Sequence, residues 1–112
     1  MKNEIRDGVL VVFPEGNLLG EHSNAPVIEM LKTKIEAGNK KVLFNLCETK
    51  FVNSTGLGML LTAVSKVRNA GGELALCNLP EQMKKLLQMT KLETVFPVYA
   101  DEKEALSFLQ TV

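Results

Sequence analysis

The order of strand and helix patterns along this chain predicts an α/β protein: a small, mostly parallel sheet of four to five strands with four helices packed mainly on one side. Two observations carry this reading. Short apolar runs alternate with segments of helical periodicity, the order that builds parallel strands joined by crossovers. The central run, residues 42–47, is apolar except for Asn45, as a strand covered on both faces requires. With 112 residues, 46% of them hydrophobic and 23% charged, the chain can bury such a core and reads as one domain over residues 1–112.

Each element follows from local chemistry. Asp7-Gly8 is a turn signal between residues 3–6 and 9–13, which predicts a hairpin. After Pro14, residues 15–24 include Gly16 and Gly20 and read as a loop, with Asn24 placed to cap a first helix and Pro26 tolerated in its first turn. Val27, Ile28, Leu31 and Ile35 keep the 3.6-residue period until Gly38 stops it. After the strand at 42–47, a second helix starts near Ser54. Its Leu57, Leu60, Leu61, Val64 and Val67 share one face, and Gly71-Gly72 ends it. Residues 74–77 form the next strand. Asn78 and Pro80 open a third helix with Met83, Leu86 and Leu87 inward and Met89 also expected in the core. Residues 95–99 read as an edge strand, since Pro97 lacks an amide donor. Asp101 and Glu104 stand at capping-box spacing before Ala105, Phe108 and Leu109, the fourth helix.

Thirteen Lys and Arg balance thirteen Asp and Glu for a formal net charge of +0, so no overall field attracts nucleic acid or anionic membranes, and neither is an expected partner. No apolar run approaches the roughly 20 residues of a membrane span. Lys2, Glu4, Arg6 and Asp7 precede a run too short for a signal peptide, which leads us to expect a cytoplasmic protein without membrane insertion. Cys47 and Cys77 have no Cys or His at metal-ligand spacing and read as two buried, reduced thiols. Neither a metal nor a cofactor is expected.

Enzymatic chemistry finds no support. His22, the only histidine, has no placed nucleophile and reads as a solvated loop residue. Ser54 lacks the glycine of a nucleophile elbow, because Val52 stands there. No Gly-x-x-x-x-Gly-Lys loop occurs, and Asn45 reads as a hydrogen-bonded structural residue. The expectation is a non-enzymatic protein without catalytic residues.

The informative stretch is Phe51-Val52-Asn53-Ser54-Thr55-Gly56-Leu57-Gly58, between a strand pattern and a helix pattern. Such loops gather at the carboxyl edge of α/β sheets, where helix N-termini point backbone amides outward. One reading has Ser54 capping the helix. The other has a partner coming close to the backbone at Gly56 and Gly58, which are poor helix formers at about 1 kcal/mol each against Ala.

Taken together, residues 42–46, that stretch, Gly71-Gly72-Glu73-Leu74 and residues 83–92 resemble a STAS domain of the bacterial anti-sigma-factor antagonist type, over roughly residues 9–109. The resemblance implies that Ser54 is a phosphoacceptor, modified by an anti-sigma factor that is also a serine kinase of the GHKL type and reset by a serine phosphatase. It implies that the unphosphorylated protein binds that anti-sigma factor and frees a sigma factor. Asn17, Leu18, Leu19, Asn53, Ser54, Thr55, Gly56, Leu57, Gly58 and Met59 are the expected partner-binding residues, with Leu18, Leu19, Leu57 and Met59 as exposed apolar anchors. The sequence departs from the family pattern twice: Asn53 replaces the acidic residue before the serine, and Leu19 replaces an Asp in the earlier loop. The departures leave room for another class of function, a constitutive STAS subunit of an ABC-type transporter or stress-sensing complex without a phospho-switch.

Overall fold

The computed structural model describes residues 2–18 and 21–112. Strand β1 (Lys2–Arg6) and strand β2 (Val9–Phe13) form the hairpin expected from Asp7-Gly8. Both turn residues have positive φ, 51° and 79°, as a two-residue turn matched to strand twist demands. There follow β3 (Gly16–Leu18), α1 (Glu21–Glu36), β4 (Lys41–Asn45), β5 (Thr49–Val52) and α2 (Ser54–Asn69). The chain continues with β6 (Glu73–Cys77), α3 (Glu81–Thr90), β7 (Val98–Tyr99) and α4 (Glu102–Gln110).

Five strands form one sheet in the order β1-β2-β4-β6-β7, antiparallel only at the β1–β2 pair. Strand β2 is buried along its whole length. Its Leu10 and Val12 face a core shared with Val27 and Leu31 of α1, Leu60 and Val64 of α2 and Met83 and Leu87 of α3. Its Val9, Val11 and Phe13 face a second core closed by Ala105 and Leu109 of α4. Three helices therefore cover one face and a single helix the other. Among the described residues, no helix is long and apolar enough to cross a membrane.

Asn45 is a buried polar residue in the central strand, 4% exposed. Its Oδ1 accepts from Asn78 Nδ2 at 3.0 Å and from the Cys47 amide at 3.1 Å, while its Nδ2 donates to Glu102 Oε1 at 3.1 Å. Glu102 in turn pairs with Arg6. This satisfied network is the structural role expected of Asn45, since a buried amide without partners would be costly.

Several expectations need correction. Residues 15–24 are not one loop: β3 lies within them, and α1 begins at Glu21, so Asn24 stands inside the helix and Pro26 at its sixth position. The last strand is two residues long, because only 98 and 99 pair with β6; Pro97 contributes its carbonyl, which accepts from the Leu76 amide at 2.9 Å. Cys47 is exposed and only Cys77 is buried, both as free thiols. Met89 is 79% exposed rather than in the core. Strand β5 carries no strand pattern in the sequence, because its Thr49 and Val52 are buried while Lys50 and Phe51 are not, which gives no two-residue period.

Candidate functional site

The Phe51 to Gly58 stretch spans the end of β5 and the first turn of α2. Asn53 is the N-cap: it is extended, with φ −95° and ψ −177°, and its Oδ1 accepts from the Gly56 amide at 2.8 Å. Its carbonyl accepts from the Leu57 amide at 2.8 Å, the first helical bond. Ser54 is therefore not the cap. It is the first helical residue, exposed, and its hydroxyl takes no part in capping. Thr55 beside it is exposed as well. The first turn of α2 contains no acidic side chain, so the positive end of the helix dipole is not offset there.

The small parallel sheet of β3 and β5 brings the earlier loop to this place. Asn17 is in register with Phe51, and Leu18 with Val52. Thr49 Oγ1 donates to the Pro14 carbonyl at 2.7 Å, and the Gly16 amide donates to the Glu48 carbonyl at 2.9 Å, which ties the two segments at their base. Exposed Asn17 thus lies beside the strand that delivers Ser54. Leu19 lies outside the described residues, as does the side chain of Leu18.

Two expected anchors are corrected. Leu57 is 3% exposed and Met59 5%, both within the main core, because the apolar face of α2 that packs on the sheet begins with them. Gly56 is buried and its amide is used by the cap. Gly58 differs, since a Cβ built there would meet nothing within 4 Å; its small size serves no contact among the described residues. Phe51, which opens the stretch but was given no role by the sequence, is 41% exposed in β5. Sequence reasoning missed Gln82, whose side-chain amide bonds the backbone of Val52. Gln82 carries no local signal.

The sequence matches the family model of the STAS domain over residues 1–105. The chain belongs to the STAS domain family. It is 30% identical, over 94% of this chain and 90% of the relative, to the anti-sigma F factor antagonist of Paenibacillus polymyxa. The STAS fold seen here superimposes on the Thermotoga maritima protein TM1081 with a TM-score of 0.88, at 20% identity over 97% of this chain and 93% of that one. It also superimposes on the Bacillus cell fate determinant SpoIIAA in its phosphorylated form, with a TM-score of 0.73 at 23% identity over 95% and 96% of the two chains.

Proposed function

We propose that this chain is an anti-sigma factor antagonist whose binding to its anti-sigma factor is switched off by phosphate on Ser54. The observation that carries the reading is the division of labour at the start of α2: Asn53 caps the helix, which leaves the Ser54 hydroxyl exposed and uncommitted to the cap. The antagonist named among its relatives supports the class of partner. The replacement of the family's acidic residue by Asn53 removes a charge but keeps the cap, because either side chain offers an oxygen to the Gly56 amide.

Phosphate would add about −1.5 to −2 charge at the first helical position, where the helix dipole favours it. The fold tolerates the modification. An interface packed over the same hydroxyl would have to bury that charge without a counter-ion, at a cost of about 3–5 kcal/mol, or about two to four decades of affinity. Asn17, Asn53, Ser54, Thr55 and Gly58 are the surface of this contact; Leu18 and Leu19 are assigned to it on the sequence alone. In this reading the protein acts in the cytoplasm as a binding module, its anti-sigma factor is a GHKL-type serine kinase, and a serine phosphatase resets it.

Incubation with that anti-sigma factor and ATP, followed by mass analysis, tests the assignment. One phosphate is expected on the wild type and none on Ser54→Ala. An unmodified wild type, or a phosphate that survives the substitution, contradicts it. Co-purification with an ABC-type ATPase and no phosphate uptake would instead fit a constitutive subunit.

A further inference from the structure

We propose that Gln82 is a positioning residue for Ser54: its side-chain amide stands in for a neighbouring strand at Val52 and so fixes the point from which α2 departs. Strand β5 has a partner strand, β3, on one side. Toward α3, the Val52 amide donates to Gln82 Oε1 at 3.0 Å and the Val52 carbonyl accepts from Gln82 Nε2 at 2.7 Å. A primary amide offers an acceptor and a donor side by side, as a peptide unit does, so one side chain supplies both bonds of a missing strand. Val52 is fully buried, and without Gln82 both backbone groups would lose their partner away from water.

The position of this clamp gives it consequence. Val52 directly precedes the cap residue Asn53, and Ser54 follows. The segment is thus held at two points, by Gln82 at Val52 and by Asn53 at Gly56, with the Ser54 hydroxyl exposed between them. Gln82 is itself held by a helix whose Met83 and Leu87 are buried in the main core. Loss of the clamp would let the segment shift while the cores on both faces of the sheet remain.

The inference rests on the reading of Ser54 as phosphoacceptor, so the test has one arm independent of it. Amide hydrogen exchange on the intact Gln82→Leu protein is expected to show Val52 exchanging about tenfold faster, equivalent to about 1.4 kcal/mol, with the Leu76 amide in the main sheet unchanged. In Gln82→Glu the ionised carboxylate can accept from the Val52 amide but has no proton for its carbonyl. Protection of Val52, corrected for intrinsic exchange, should therefore rise as pH falls and the carboxylate takes up its proton, at a pH raised by the bond that only the neutral form makes; a role in packing alone would give no such profile. In the second arm, the anti-sigma factor kinase should show a KM about tenfold higher for Gln82→Leu with kcat unchanged. Unchanged Val52 exchange in Gln82→Leu, a flat pH profile in Gln82→Glu, or faster exchange with unaltered phosphorylation kinetics would each overturn the proposal. Failure of wild-type Ser54 to take phosphate would sink the switch instead, and leave the exchange arm to decide whether Gln82 holds the segment.

Discussion

Asn53 caps α2 while Ser54, the proposed phosphoacceptor, stays out of the cap, and single substitutions separate the two. Asn53→Ala should cost about 1 kcal/mol of stability in urea unfolding through loss of the cap. Asn53→Asp should stabilise by about 0.3–1 kcal/mol, because it keeps the acceptor for the Gly56 amide and adds negative charge at the helix N-terminus. Ser54→Ala removes no capping bond and should leave stability within about 0.5 kcal/mol of wild type. The cysteines diverge in the same way. Burial, reinforced by Glu102, Cys47 and Asp101, pushes the Cys77 thiol from its usual 9.0 up to about 12. The folded state therefore keeps this proton at a pH where the unfolded chain has released it. Its contribution to stability is complete below pH 9.0 and is lost as pH rises from there to about 12. Cys77→Ala should flatten that part of the stability curve, and a thiol reagent at neutral pH should label Cys47 alone until the protein is unfolded.

Element by element, the positions where a glycine is required and where it is merely present respond in opposite directions. A Cβ on Gly72 would overlap the Lys40 carbonyl, which accepts from the neighbouring Glu73 amide at 3.0 Å. Gly72→Ala should accordingly destabilise, because backbone must move. Gly58→Ala meets open space inside a helix and should raise stability by about 0.5–1 kcal/mol while weakening partner binding, a combination that thermal unfolding and titration together would reveal. These elements also mark what the sequence made legible. The hairpin at Asp7-Gly8, the buried run of β4, the apolar face of α2 and the cap at Asp101, whose Oδ1 accepts from the Glu104 amide at 2.9 Å, each carry a local signal of turn, burial or period. Strands β3 and β5 carry none, since three or four residues are too few to establish a period. The place of Ser54 at a strand-to-helix junction was readable; its release from capping and the support from Gln82 depend on backbone geometry and on a contact between residues far apart in the chain.

For the molecule as a whole, the proposed site lies where the small sheet of β3 and β5 meets the start of α2, whose Leu57 and Met59 run on into the main core. Leu60→Ala, in the main core at 0% exposure, should cost about 2–5 kcal/mol, whereas a charge at Ser54 should leave the fold intact. With a formal net charge of +0, long-range attraction should contribute little to encounter with the proposed partner, and affinity should rest on local contact at the Ser54 surface. On this proposal fold and binding are separable. Titration of the anti-sigma factor with wild type and with Ser54→Glu, each with its circular dichroism recorded, is the decisive measurement. Superimposable spectra and an affinity lower by about two to four decades for the charged variant are expected; equal affinity for the two proteins, or an unfolded variant, would refute the proposal.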